Sequence, residues 1–300
     1  MAFSGLGLAL LMAQVDPASL VPLYRQALTV RERQFGPKHP KVARASSDLG
    51  LYLLELGERE QAVDALRRAL AIDRETYPAN HATVAVDLEN LAGALPPSPE
   101  ATALLEQAAT CTDPRIAARA ASKLGNLAEQ ARRNGMAIAA YRRALALEET
   151  ATRLNDLALL LEPKPAEPLL RKALAMRQRD SGARHPETAV AMNNLANVLL
   201  ALGKAMEAER LQRAALASLE AALGRDHPRV AVSCVNLAEV LRAKGDAAGA
   251  KAMYRRALAI EHPGLVDDTI SLADYLDELG EKAEAAKLRR RAEAIKAGVK

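Results

Sequence analysis

Four of the five histidines stand at regular places: His39, His81, His185 and His227. His81 follows His39 by 42 residues, and His227 follows His185 by the same interval. Imidazole is a common metal ligand and titrates close to neutral pH, so a metal row is the first chemistry to weigh. The spacing argues against it. One packed helix pair separates neighbours by on the order of 10 Å, whereas zinc holds nitrogen at about 2.0–2.1 Å. Successive histidines therefore cannot share an ion. Pro40, Pro186 and Pro228 follow three of them, and proline suits the first turn of a helix, where its missing N–H costs nothing. The histidines read as residues that start helices, and no metal site is expected.

Catalytic patterns are absent. The chain has no Gly-rich phosphate loop, no His-Glu-x-x-His and no Gly-x-Ser-x-Gly. Carboxylates are plentiful, but on helix surfaces they are normally solvated. The expectation is a protein that is not an enzyme and carries no cofactor. Cys111 and Cys234 are isolated, with no metal or redox spacing, which fits a reducing cytoplasm. The formal charge of +4 comes from 41 basic against 37 acidic residues. Charges alternate in sign along the helices, as at Glu58-Arg59-Glu60, so no basic stripe for nucleic acid forms. No apolar run reaches membrane-spanning length. The stretch Gly5–Ala13 has the length of a signal-peptide core but lacks preceding positive charges. It reads as the first helix of a first hairpin.

The elements that position these residues follow from periodicity. In the unit from Gly182 to Gly224, Pro186 opens a helix through Val190, Asn194, Leu195, Leu199 and Leu200, and Gly203 breaks it. A second helix carries Ala208, Leu211, Ala215, Leu216 and Leu219. Apolar residues recur at three and four, the signature of an amphipathic helix. The small residues Ala196, Ala208 and Ala215 let the two helices approach closely. With Ala, Leu, Arg, Glu and Lys dominant, no Trp and only two Phe, the composition suits helix-on-helix packing. A fixed period of this size means a solenoid.

About eight hairpins result: 1–35 (degenerate), 36–77, 78–113, 114–149, 150–181, 182–223, 224–263 and 264–300 (a capping unit with a polar outer face). All belong to one array. Three units are short by roughly one helical turn. Two of these replace the turn glycine with prolines, Pro96, Pro97 and Pro99, then Pro163, Pro165 and Pro168, which are expected to shorten or end the first helix.

The words Gly36-Pro37-Lys38-His39-Pro40-Lys41-Val42-Ala43, Asn193-Asn194-Leu195-Ala196 and Tyr254-Arg255-Arg256-Ala257-Leu258-Ala259-Ile260 resemble the tetratricopeptide repeat (TPR). The 42-residue spacing is similar to that of kinesin light chains and many bacterial proteins. The Ala- and Arg-rich usage points to a high-GC bacterium. The resemblance implies an all-α, right-handed superhelical solenoid whose first helices line a concave face. It also implies that a polar residue before each Leu-Ala or Leu-Gly pair points into the groove. Here those positions are Asp48, Asn90, Asn126, Asp156, Asn194, Asn236 and Ser271. Asparagine both donates and accepts, so such a ladder can hold a peptide main chain. Asn193, Asn197, Glu239, Arg242 and Arg132 extend the candidate set along the same face, and Asp267, Asp274, Asp277 and Glu278 give it an acidic end. Four amide contacts at about 1 kcal/mol each correspond to a dissociation constant of about 1 mM, so apolar pockets or charges must contribute too. The clamp that holds chaperone C-terminal carboxylates is not present, because the third helix of the nearest match offers Asp267 and Ser271 instead of cations.

The expected function is a protein–protein interaction scaffold that binds a peptide segment of a partner, with no nucleic-acid or membrane partner. The alternatives are a regulatory or sensor arm of a larger signalling protein or enzyme, and a structural solenoid that self-associates through its end hairpins.

Overall fold

A computed structural model describes residues 17–260 and 265–297. The Gly5–Ala13 stretch, and with it the expected first helix, lies outside the described residues. A short 3-10 turn, Pro17–Leu20, leads into α1 (Val21–Phe35). Seven hairpins follow: α2 (Pro40–Glu55) with α3 (Arg59–Thr76), α4 (Ala82–Ala94) with α5 (Pro99–Ala108), and α6 (Pro114–Gln130) with α7 (Asn134–Leu147). Next come α8 (Ala151–Leu159) with α9 (Pro163–Ser181), α10 (Pro186–Ala201) with α11 (Ala205–Leu223), α12 (Pro228–Ala243) with α13 (Ala247–Leu258), and α14 (Leu265–Glu278) with α15 (Lys282–Lys296). No strand occurs among the described residues. The chain divides into two compact units, Met1–Glu149 and Thr150–Lys300, at one of the expected repeat boundaries.

The histidines do start helices. Each has extended backbone at the N-cap of α2, α4, α10 or α12. Their Nδ1 atoms accept the backbone N–H of Lys41, Thr83, Glu187 and Arg229 at 3.1–3.2 Å. This satisfies one of the donors that every helix start leaves open. Asp113 caps α6 and Thr150 caps α8 in the same way.

Hairpin turns need a residue at positive φ. Gly57, Gly203, Gly245 and Gly280 supply it, with φ from 76 to 82°. The turn between α6 and α7 uses Arg132 at φ 56° instead, a conformation that a side-chain-bearing residue adopts at a cost of about 1 kcal/mol.

The proline clusters act differently from each other. Leu95, extended before Pro96, ends α4, and Pro99 opens α5. The second cluster lies in the second helix: Pro163 opens α9, Pro165 falls in its first turn, and Pro168 is inside it. The sequence reading that these three end the first helix is corrected on that point. A first turn accepts proline because its N–H groups have no intrahelical acceptor, so the cluster moves into the helix that follows. The first helix, α8, is nonetheless short at nine residues.

Alanines make the close helix contacts. Ala43, Ala62, Ala69, Ala196, Ala208, Ala215, Ala250 and Ala257 are fully buried. Closer still is Gly125, where an added Cβ would stand 2.5 Å from the Tyr141 ring. Charges on successive second helices, which the sequence alone left as solvated faces, pair from one hairpin to the next. Arg67 meets Glu100 at 2.9 Å in the first unit. In the second, Arg171 meets Glu207 at 2.8 Å and Lys204 meets Glu167 at 2.7 Å. Exposed pairs of this kind contribute about 0.2–1 kcal/mol each.

Candidate functional site

Within each unit the first helices touch one another as well as their own partners. In the first unit α2 packs on α4 and α4 on α6, and in the second α8 packs on α10 and α10 on α12. Each unit therefore presents a layer of first helices, and the polar row lies on these layers.

Asn90, Asn126, Asn194 and Asn197 are each engaged at one end of the amide. Asn90 donates to the Ser47 hydroxyl at 3.4 Å. The fully buried Tyr141 shares its one hydroxyl hydrogen between Asn126 Oδ1 and Glu129. Asn194 donates to Asn155 Oδ1 at 2.7 Å. Gln212, itself fully buried, donates to Asn197 Oδ1 at 3.1 Å. Bonds inside the protein fix the orientation of these amides and leave the opposite end of each unused. Asn236 is half-buried and makes no side-chain hydrogen bond among the described residues.

Two expected residues fall elsewhere. Asn193 is buried, and its Oδ1 has no hydrogen-bond partner in the protein. Arg132 lies beyond the end of α6, in the turn, instead of on the helix face where periodicity put it; the helix stops two residues earlier because its chain reverses there. Asn155 was missed in favour of Asp156. Its position before Asp156, like that of Asn193 before Asn194, was the available signal.

The charged candidates are tied within the chain. Glu239 accepts from the buried Tyr254 hydroxyl, and burial together with that carboxylate holds the Tyr254 hydroxyl well above its ordinary range. Arg242 stands over the Tyr275 ring at 5.2 Å and pairs with Glu239 and Glu278. Arg289 takes up Asp274 and Asp277. The expected acidic end is thus largely neutralised by the protein's own arginines.

The first unit holds two sizeable open spaces. A cavity of about 580 Å³ is walled by α2, the end of α3, α4 and α6, with Ser47, Asp48, Leu51, Val86 and Asn90 among its lining residues. A neighbouring one of about 940 Å³ runs along α1 and α2, past Leu23, Ala27 and Val30. Asn126 and Lys123 line a third, of about 280 Å³. The first of these contains a feature that periodicity could not show: Asp73 and Asp87, 3% and 5% exposed, face each other there. Burial pushes both carboxyls upward. Asp87 is carried to about 7, by burial first and by the facing Asp73 second. Among the described residues no group of three or more His, Cys, Asp or Glu is placed to hold a metal.

Successive hairpins whose first helices touch within each unit define an α-helical repeat protein. The family model described as tetratricopeptide repeat matches residues 1–75, 154–221 and 187–260, more than half of the sequence, and the chain belongs to that family. Two solved structures with TM-scores of 0.53 agree on the fold. The chain is similar to BtubC (BKLC) from P. vanneervenii, with 22% identity, a TM-score of 0.53, and coverage of 81% of this chain and 89% of that one. It is similar to the APC/C hetero-tetramer Cut9-Hcn1, with 16% identity, a TM-score of 0.53, and coverage of 92% and 48%. It is also similar to the nearly identical TPR-like repeats of a Podosopora anserina kinesin light chain, with 19% identity, a TM-score of 0.40, and coverage of 87% and 98%. No curated protein matches the sequence. No helix among the described residues is long and apolar enough to cross a membrane.

Proposed function

We propose that this chain is a protein–protein interaction scaffold that holds a peptide segment of a partner against its first-helix layer. The TPR fold supports the scaffold role. The observation that carries the finer reading is the 580 Å³ cavity between α2, α4 and α6. It offers an oriented amide at Asn90 beside an apolar side chain, Leu51, that is 39% exposed. Amide contacts alone give weak binding, and an adjoining apolar wall adds roughly 25 cal/mol per Å² of surface buried. In the second unit Asn194, Asn197 and Asn236, with Glu239 and Arg242, make the equivalent row on α10 and α12.

The test is affinity capture followed by cross-linking, with the wild type beside a Leu51→Asp, Asn90→Ala variant. The reading expects a partner cross-linked to α2 or α4 and lost from the variant, with the variant's helical content unchanged. A partner held equally by both proteins would remove the first-helix layer of the first unit from the mechanism.

A further inference from the structure

Asp73 and Asp87 are not explained by the repeat. A buried carboxylate normally has a basic partner, and α4 itself shows what that looks like. Glu89, 1% exposed, is met by Arg119 Nε and Lys123 Nζ, both at 2.8 Å. Asp87, on the same helix, has no ion pair among the described residues, and neither has Asp73. The two carboxyls hydrogen-bond each other, and Ser47 bonds Asp87. Asp73 Oδ1 and Asp87 Oδ2, like Glu89 Oε1, have no partner in the protein, so what separates the pair from Glu89 is the missing cation. Two facing carboxylates in this position cannot both hold a full charge, since charge buried without a partner is strongly disfavoured. A shared proton relieves the pair only in part.

His81 at the head of α4 acts on Asp73 through charge, but no lysine or arginine pairs with either aspartate among the described residues. Lys41 and Arg44 line the same cavity, but Lys41 Nζ sits over the Phe35 ring at 4.1 Å. Arg44 is exposed and forms no ion pair among the described residues. The cavity has the reverse polarity of an anion site at its floor, with the two aspartates beside Ser47 and Asn90. Its wall includes Leu51 and Val86. That combination suits a long aliphatic stem ending in a cation, the shape of a lysine or arginine side chain.

We propose that this cavity takes a lysine or arginine side chain from the partner's segment, its charged head on Asp73 and Asp87 and its stem along Leu51 and Val86. The proposal rests on the scaffold reading above. When the head enters, the proton shared by the pair leaves to solvent, both carboxylates become charged, and the incoming cation supplies the missing counter-charge. The other charged groups around the pair are Lys41, Arg44 and Asp48 on α2 and His81 at the head of α4. Because Asp87 titrates at about 7, proton release is expected near neutrality, and binding strengthens as pH rises through that value.

The experiment uses the whole chain with three probes: acetyl-lysine methylamide, acetyl-arginine methylamide and the neutral acetyl-norleucine methylamide. Amide shifts of Ser47 and Asn90 report occupancy. Calorimetry in two buffers of different ionisation enthalpy reports proton release. The proposal expects saturable binding of the cationic probes, about half a proton released at pH 7, as a group titrating at that pH requires, and less at pH 8.5. The Asp73→Asn, Asp87→Asn variant should weaken that binding at least tenfold. It removes charge without removing volume, so circular dichroism should show it folded. The tighter of the two cationic probes identifies the head group. Equal binding of the norleucine probe, or unchanged binding to the double variant, overturns the proposal. If the double variant also still captures the partner, the scaffold reading stands without it.

Discussion

In the second unit one continuous cluster joins most of the buried apolar side chains between Ala158 and Ala285. In the first unit they fall into separate groups: a larger one from Leu66 to Ala144, another from Ala92 to Ala140, and small ones around Val42 and around Leu49. The same repeat therefore builds two kinds of interior. Each hairpin of such an array is stabilised by its neighbours, and the continuous cluster joins the hairpins of the second unit through their buried side chains. Where the core breaks up, the first unit has its 940 and 580 Å³ cavities and its unpaired aspartates. The open space goes with the fragmented packing, because side chains that fail to interdigitate leave room, whereas buried polar atoms without partners occur in both units, Asp73 and Asp87 in the first and Asn193 and Ser233 in the second.

The strongest way to break this comparison is to damage both cores. Leu199, fully buried within the continuous cluster, should cost about 2–5 kcal/mol as Leu199→Ala. Leu49→Ala, in a small group, should fall at the low end of that range. Equal losses in urea unfolding would remove the distinction. Next in size is Gly125→Ala. Its Cβ would meet the Tyr141 ring at 2.5 Å, and a loss of about 1–3 kcal/mol is expected, with a fall in melting temperature as the readout.

Asp87→Asn sharpens the comparison through pH. The folded chain keeps the Asp87 proton up to about pH 7, whereas the unfolded chain loses it near the ordinary value of 3.8. Between those values the folded state binds more protons, so this group lowers stability as pH rises from about 4 to about 7. The variant should match the wild type near pH 4 and exceed it at pH 8, by on the order of 2 kcal/mol. Parallel stability profiles for the two proteins would show that the carboxyl is not perturbed.

The smallest effect concerns the turns. Arg132→Gly should stabilise the first unit by about 1 kcal/mol by relieving positive φ. Gly203→Ala, at φ 76° in the second unit, should lose a similar amount. No gain for Arg132→Gly would mean that the arginine side chain compensates its own backbone.

Much of this was legible beforehand. The histidine period located every N-cap of its kind, because a cap is a local event between residues two positions apart. The turn glycines likewise marked where chains reverse. Reading failed where a local signal had two outcomes. A proline can end one helix or open the next, and only the position of the preceding cap decides, as Pro163 shows. Arg132 carried no turn signal at all. On the first-helix layers the asparagines were found, but not their partners Ser47, Tyr141, Asn155 and Gln212, which come from neighbouring helices.

By itself, then, the amino-acid order determined the helices, their pairing and the repeat, since these depend on periodicity, caps and turns within a few residues. Only the tertiary structure decided that Asp73 near the end of α3 faces Asp87 in the middle of α4, and that no lysine or arginine pairs with them among the described residues. Such a meeting depends on how two helices sit against each other, and a packing angle set by many side chains at once leaves no local mark in the sequence.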